Sequence, residues 1–113
     1  MELSLNEKTA EFRFGYGFLK EINKRYSIER NGMQLKLGVG AVLSNLLLSD
    51  VDTLFEVLLI ANMTENPRIT VKELEEYVEV NGVQKLFEDV LEELKKSEFT
   101  GIMTRKMIEE AQE

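Results

Sequence analysis

Apolar residues recur every three or four positions along most of this chain after Phe14, in short segments separated by Gly, Asn, Ser or Pro. The clearest segment spans 83–96, where one face is apolar and the other carries charged side chains. A period of about 3.6 residues is typical of amphipathic helices that pack one stripe against a core. The chain is therefore predicted to fold into several short helices that bury their apolar faces.

The starts and ends of these helices are marked by specific residue types. The first helix is expected to begin at or after Gly15 and Gly17, which are poor helix formers, and to run to Tyr26. Residues 70–73 (TVKE) match the capping box and predict a helix start, and Asn81-Gly82 is a typical helix end. Further helices are predicted at 41–48, 51–63, 83–96 and 98–113, of which 51–63 is apolar nearly all round and is expected to be buried or in an interface.

The amino-terminal residues alternate between apolar and polar and predict a β-hairpin with its turn at residues 6–8. The apolar positions of this hairpin are Leu3, Leu5, Ala10, Phe12 and Phe14. Asn31-Gly32 marks another turn. Residues 33–40 alternate briefly like a strand, but glycines follow at once, and this segment is predicted to be a loop.

Together these patterns predict a mostly α (α+β) fold, with a short amino-terminal β-hairpin followed by five or six packed amphipathic helices. A length of 113 residues is typical of one domain. We expect a single domain over 1–113, with the hairpin at 1–14, a helical core at 15–97 and a loosely held, mobile carboxy-terminal helix at 98–113. That last helix is expected to be the least ordered because it follows a glycine and lies near the chain end.

The residue types that are absent restrict the chemistry. The chain has no His and no Cys, so it lacks the imidazole and thiolate ligands of zinc, copper and iron–sulfur sites, and also the Ser–His and Cys–His nucleophile pairs. Two glycine pairs, at 15–17 and 38–40, lack the further residues of a phosphate-binding loop. Asp50 and Asp52 start like an EF-hand loop but fail at its later positions, so helix capping explains them better. We predict no enzyme, no catalytic residue, no metal and no cofactor.

The formal charge of −7 is unevenly distributed. Residues 1–36 carry seven Lys/Arg against five Asp/Glu, whereas residues 65–113 carry seven against thirteen. Repulsion from phosphates disfavours nucleic-acid binding, so the basic excess is interpreted as a solvated helix face. This excess comprises Lys20, Lys24, Arg25 and Arg30.

No membrane association is expected. The most apolar stretch, 46–63, is interrupted by Asp50, Asp52 and Glu56 and cannot span a bilayer. The first residues do not have the pattern of a signal peptide, in which basic residues precede an apolar run. A soluble protein is therefore expected.

Two surfaces are candidates for binding a partner. The first is a row of apolar side chains near the chain end, Phe99, Ile102, Met103 and Met107, since methionine-rich surfaces adapt to varied partners. The second is the acidic side of the helices over 70–96, made by Glu75, Glu76, Glu79, Glu88, Asp89, Glu92 and Glu93. Both have an ordinary structural explanation as well, as part of the core and as a solvated face.

Several segments, in this order, resemble the tail assembly chaperones of long-tailed phages and prophages of Gram-positive bacteria. After the amino-terminal hairpin they are 12–26 (FRFGYGFLKEINKRY), 31–33 (NGM), the apolar helix over 54–63, 65–68 (ENPR), 71–77 (VKELEEY) and 86–97 (LFEDVLEELKKS). The likeness covers nearly the whole chain.

This resemblance implies a protein that binds the long, helical, aggregation-prone tape-measure protein and keeps it soluble until tail-tube subunits polymerise around it. It also implies contact with the tail-tube protein and with a longer, frameshifted form of the chain itself, since this sequence is similar to the short form. Such a protein works in the host bacterial cytoplasm and is not expected in the mature virion. The family has no catalytic residues to carry over.

Other functions remain open from the residues alone. An acidic inhibitor or adaptor of phage origin, mimicking the charge of a nucleic acid, agrees with the charge of −7. An enzyme would need a pocket lined by carboxylates with strongly raised pKa values. For a chaperone, several copies along one client, together with self-association, are expected, because modest contacts spread over many copies still allow the client to be released.

Overall fold

The computed structural model describes residues 1–112, which form two antiparallel β-hairpins and six α-helices. The elements in chain order are β1 (Glu2–Leu5), β2 (Lys8–Glu11), α1 (Tyr16–Arg25), β3 (Ser27–Arg30), β4 (Met33–Lys36), α2 (Gly38–Leu47), α3 (Val51–Asn62), α4 (Val71–Asn81), α5 (Gln84–Lys96) and α6 (Gly101–Ala111). The prediction of a mostly helical fold with an amino-terminal hairpin and five or six helices is confirmed.

The first hairpin pairs β1 with β2 and buries one of its two faces. Leu3 lies opposite Ala10, and both are buried together with Leu5. The two-residue connection is Asn6-Glu7, with φ of 43° and 67°, as in the turns whose twist matches that of paired strands. A lone hairpin is marginal in water, so the core beneath this face stabilises it.

The second hairpin, β3 with β4, was not predicted. Residues 33–40 are not a loop, because Met33–Lys36 is a strand and α2 begins at Gly38. The predicted turn at Asn31-Gly32 is correct and joins the two strands. Every residue from Ile28 to Leu37 is exposed, so the alternation of Met33, Leu35 and Leu37 belongs to a strand that has no buried face.

Gly38 explains why a segment that begins with a glycine is helical. A Cβ atom at this position would lie 2.7 Å from Ile22 Cγ2 and 2.8 Å from the backbone nitrogen of Asn23. Only glycine therefore allows the start of α2 to approach α1 so closely. The same glycine had suggested a loop from the sequence.

Helix α3 lies in the middle of the core, as its apolar composition predicts. Leu54, Val57, Leu58 and Ala61 have no exposed surface. Helices α1, α2 and α4 contact α3, and α5 extends the core through its contacts with α2. The buried side chains of these helices include Phe18, Ile22, Val42, Leu43, Leu46, Leu74, Leu86, Val90 and Leu94. Burial of each such side chain contributes roughly 1.5–3 kcal/mol.

Asn62, the last residue of α3, is a buried polar side chain whose amide joins three segments. Its Nδ2 donates to the carbonyl oxygens of Glu11 (3.0 Å) and Pro67 (3.1 Å). Its Oδ1 accepts from the backbone N–H of Ile69 (2.9 Å). Next to it, the backbone N–H of Arg13 donates to the carbonyl of Ala61 at 2.8 Å. The amide thereby fixes the end of β2 and the connection to α4 onto the central helix.

The predicted capping box of α4 is present. The Glu73 N–H donates to Thr70 Oγ1 at 3.2 Å, and the Thr70 N–H donates to Glu73 Oε1 at 3.0 Å. Glu73 also pairs with Lys8 of β2 at 2.8 Å, and the hydrogen bond from Lys8 lowers the pKa of the Glu73 carboxyl. The expected cap at Asp50 is different, because its carboxylate accepts from the Thr53 hydroxyl (2.6 Å) and from no backbone N–H.

Helix α6 packs against α2 and α5 at its start. Thr100 and Thr104 are buried, and Thr100 Oγ1 donates to the Leu94 carbonyl at 2.6 Å. Ser97 Oγ donates to the Phe14 carbonyl at 2.7 Å, which connects this end of the chain to the segment before α1. These contacts hold the first turn of α6. The expected mobility of this helix stays a prediction.

The end of α2 shows a conformational cost that could be removed. Ser49 follows the helix with φ of 62°, and its N–H and that of Asp50 donate to the carbonyls of Leu46 and Asn45 at 3.0 Å each. These are the two bonds of a Schellman motif, in which glycine is the usual residue with positive φ. A serine in this conformation is strained relative to glycine.

We predict that Asn62→Ala lowers the free energy of unfolding by about 2–4 kcal/mol. The substitution leaves the Glu11 and Pro67 carbonyls and the Ile69 N–H without their partner. Urea denaturation measures the change. Asn81→Ala, at an exposed asparagine, is the matched control and should change stability by no more than about 0.5 kcal/mol. Equal effects of the two substitutions would contradict this role of Asn62.

We also predict that Ser49→Gly raises the free energy of unfolding by about 0.5–1 kcal/mol, since glycine adopts the positive φ without strain. Ser44→Gly, inside the same helix at an exposed position, should lower it by about 0.5 kcal/mol. In parallel thermal melts the two substitutions should change stability in opposite directions. A loss of stability in both variants would show that Ser49 is not strained.

Candidate functional site

An open groove lies between α1, the start of α2 and α6. Its volume is about 540 Å³, within the range of roughly 300–1,000 Å³ that is common for binding pockets. Most of its walls are apolar. The lining residues are Leu19, Asn23, Lys36, Leu37, Val39, Gly40, Ala41, Ser44, Phe99, Met103 and Met107.

The structure brings three of the four predicted partner-binding residues together at this groove. Met103 and Met107 line it because residues four apart lie on one side of α6, and Phe99 lines it from the turn before that helix. Ile102 does not line the groove; it lies beside it and is 64% exposed. Phe99 and Met103 are about half exposed, and Met107 packs partly against the core.

Gly40 leaves space on the wall opposite α6. A Cβ atom placed there would lie 4.0 Å from Met103 Sδ, at ordinary van der Waals distance. Any longer side chain at this position would extend into the groove. Gly40 thus gives access to the methionine face, a role that its sequence context, a pair of glycines, did not indicate.

Aromatic side chains form one edge of the groove. The rings of Tyr16 and Phe99 lie 5.9 Å apart in a tilted arrangement, and Lys20 Nζ is 5.5 Å from the centre of the Tyr16 ring. Both distances are in the range of favourable aromatic and cation–π contacts. Sequence reasoning missed Tyr16 because its contact with Phe99 joins positions far apart in the chain.

The second hairpin forms another side of the groove through Lys36 and Leu37. It is attached at its base by two hydrogen bonds of Tyr26. The Leu37 N–H donates to the Tyr26 carbonyl at 2.9 Å, and the Tyr26 hydroxyl donates to the Glu56 carboxylate on α3. Burial and this carboxylate raise the pKa of Tyr26 to about 12. Beyond its base, the hairpin exposes Ile28, Met33 and Leu35.

A second apolar cavity, of about 430 Å³, lies where α5 meets the α2–α3 connection. Leu47, Val51 and Phe87 are among its lining residues. Its lining includes no residue of the predicted row.

The acidic surface of α4 and α5 is largely solvated. Glu75, Glu76, Glu79, Glu88 and Glu92 are exposed, whereas Asp89 and Glu93 are partly buried. Asp89 pairs with Lys85 at 2.9 Å and Glu93 with Lys96 at 3.4 Å, both within α5. Among residues 1–112 no group of acidic side chains is arranged to hold a metal ion. In the same part of the chain, no helix has the length and apolarity needed to cross a membrane.

Comparison with known proteins identifies a family. A family model described as phage tail assembly chaperone protein, TAC, matches residues 2–109. No curated protein and no solved structure matches this chain.

We predict that the hydrogen bond from Tyr26 to Glu56 makes the free energy of unfolding decrease at alkaline pH. The folded pKa of Tyr26, about 12, lies above the ordinary value of 10.0, so the stabilisation is fully present below pH 10 and is lost as pH rises through about 12. Tyr26→Phe should lower the free energy of unfolding by about 1–2 kcal/mol at neutral pH. The difference between variant and wild type should shrink above pH 10 in urea melts, and parallel pH profiles would contradict the prediction.

Proposed function

Because the chain belongs to the phage tail assembly chaperone family, we propose that it binds the tape-measure protein of its phage and keeps it soluble until tail-tube subunits polymerise around that protein. The family match covers 2–109, which includes both hairpins and nearly all of α6. The family is typically non-catalytic, so binding itself is the activity to be explained.

The observation that carries this proposal is the apolar groove lined by Phe99, Met103 and Met107. A helical client exposes apolar stripes until it is enclosed, and such stripes bind in grooves through anchors about three or four residues apart. Methionine side chains suit this task, since their flexible thioethers adapt to anchors of different shape. Half-exposed side chains at the groove leave apolar surface for a partner to cover.

Charge supports the same function. The chain carries −7, and its exposed carboxylates on α4 and α5 lie outside the groove. A complex covered by such like-charged chains repels its neighbours, which opposes aggregation of the client. The acidic surface thus contributes to solubility whether or not it contacts a partner.

Release of the client requires each copy of the chain to bind it weakly. We therefore expect several copies on one client, together with self-association of the chain, so that avidity holds the client and subunit polymerisation can displace the copies one by one. The tail-tube protein and a longer frameshifted form of the chain are the further expected partners. Work of this kind takes place in the host cytoplasm and leaves no copy in the mature virion.

Co-expression with the tape-measure protein from the same genome tests the proposal. We predict that the tape-measure protein precipitates alone but remains soluble and co-purifies with this chain. Light scattering then gives the number of copies per client. A client that is equally insoluble with and without the chain, and with its longer form, would refute the proposal and favour an acidic inhibitor or adaptor, whose mark is competition with DNA for a basic partner.

Groove variants locate the binding surface in the same assay. Gly40→Leu fills the groove next to Met103, and its gain in helix propensity of about 1 kcal/mol in α2 favours a folded variant. Met103→Ser with Met107→Ser removes two apolar walls. Gly17→Leu is the matched control, because a Cβ at Gly17, also in a helix, meets nothing within 4 Å.

We expect a loss of client recovery of about tenfold for Gly40→Leu and for the double methionine variant, and none for Gly17→Leu. Circular dichroism confirms that each variant is folded. If both groove variants keep full client binding while folded, the client binds elsewhere on the chain.

A further inference from the structure

Three lysines converge at one end of the groove. Lys20 and Lys24 come from α1 and Lys36 from β4, and together they line a cleft of about 380 Å³. This cleft shares Leu19, Asn23 and Lys36 with the apolar groove, so the two are continuous. One surface therefore combines an apolar floor with a basic rim.

In the part of the chain that the structure describes, none of these three lysines forms an ion pair with a carboxylate. Five ion pairs occur among residues 1–112, and they involve the cations of Lys8, Arg25, Lys85 and Lys96 only. Residues 16–36 carry five Lys/Arg against two Asp/Glu, although the whole chain carries −7. Solubility does not explain why unpaired positive charge is concentrated beside an apolar groove, since the acidic residues of the chain already make it soluble.

The interpretation of these lysines as one solvated helix face is incomplete. Lys20 and Lys24 are exposed on α1 as expected, but Lys36 joins them from the second hairpin, which the sequence did not predict. The Lys20 ammonium lies 5.5 Å from the Tyr16 ring, and that ring lies 5.9 Å from Phe99. The positive charge of Lys20 thus meets the apolar wall of the groove at the Tyr16–Phe99 edge.

We infer that the groove takes an amphipathic helix with acidic residues beside its apolar stripe. The apolar anchors lie on the floor between α2 and α6, and the carboxylates reach the three lysines on the rim. This inference rests on the proposed function and specifies it, because it states which segments of the client are bound. The chemistry is complementary: an acidic flank gains partners at the rim, whereas a basic flank meets three like charges.

Peptide binding tests the charge preference directly. The probe is a synthetic, labelled helix of about 20 residues, with Leu at every third or fourth position and Glu on both flanks, compared with the same peptide carrying Lys in place of Glu. Fluorescence anisotropy with the full chain should show at least about tenfold tighter binding of the Glu peptide at low salt. High salt should reduce that preference, because the rim charges are exposed. Equal affinity for the two peptides would overturn the inference.

Charge reversal then tests the three residues. In Lys20→Glu/Lys24→Glu/Lys36→Glu the Glu peptide should bind about tenfold more weakly and the Lys peptide more tightly. The control, Arg68→Glu/Lys72→Glu/Lys95→Glu, has the same net charge. It changes exposed residues that lie outside the cleft and form no ion pair within residues 1–112. An equal loss in both variants would show that only the net charge matters and would overturn the assignment.

The outcomes separate this inference from the proposed function. If wild type solubilises the tape-measure protein and the triple variant does so equally well, the chaperone function stands and the acidic-helix preference falls. If wild type fails with the client but binds the Glu peptide with the predicted preference, the groove is assigned correctly and the client is another protein.

Two other occupants would overturn the inference. A wild-type oligomer that dissociates in the triple variant, but not in the control, would show that a second copy of this chain fills the cleft. A single-stranded oligonucleotide that competes with the Glu peptide at equal concentration would show that the lysines serve phosphates. Sedimentation and competition anisotropy measure these two cases.

Discussion

The amide of Asn62 holds together the half of the molecule that includes the first hairpin and α4. A two-stranded hairpin has too little buried surface to be stable alone, and here it is attached to α3 through the Glu11 carbonyl and the neighbouring bond from Arg13 to Ala61. The same side chain fixes the connection to α4 at Pro67 and Ile69. Since all three of its hydrogen bonds are satisfied in a buried position, the amide specifies one arrangement of these segments, whereas apolar packing alone would tolerate several.

The two hairpins differ in what supports them. The first has a buried face on the core and a salt bridge from Lys8 to the capping box of α4. The second projects from its base at Tyr26, with its residues exposed on both faces. Local stability follows buried apolar contacts, so the second hairpin is expected to open at a lower free energy than the first. It is also the hairpin that supplies Lys36 and Leu37 to the groove.

The parts of this fold that the sequence predicted are those controlled by neighbours along the chain. Helical periodicity, the capping box at Thr70 and the turn at Asn31-Gly32 depend on residues within about four positions, and each was correct. The errors involve contacts between distant segments. The brief alternation at Met33, Leu35 and Leu37 does belong to a strand, although the second hairpin has no buried face, and Gly38 indicates a loop until α1 is placed against it at Ile22.

The candidate site also combines residues that the sequence groups together with residues that come from distant segments. Phe99, Met103 and Met107 could be grouped from the sequence because they lie four apart, and the groove contains all three. Tyr16, Gly40 and Lys36 come from three other elements, and nothing in their own surroundings connects them to α6. Asp50 is an intermediate case: its position before α3 was predicted correctly, but its partner, the hydroxyl of Thr53, was not.

The exposure of the groove side chains limits how tightly one copy can hold a client. A fully exposed side chain of this size gains about 1.5–3 kcal/mol on burial, and those that are already half covered gain about half of that. Association itself costs at least several kcal/mol in lost freedom, so a few such contacts with screened charges at the rim give binding in the micromolar range or weaker. A single copy would then leave a long client unprotected for much of the time. Under the proposed function, protection would therefore come from many copies bound along the client, and their individual weakness would allow tube subunits that polymerise around the client to displace them.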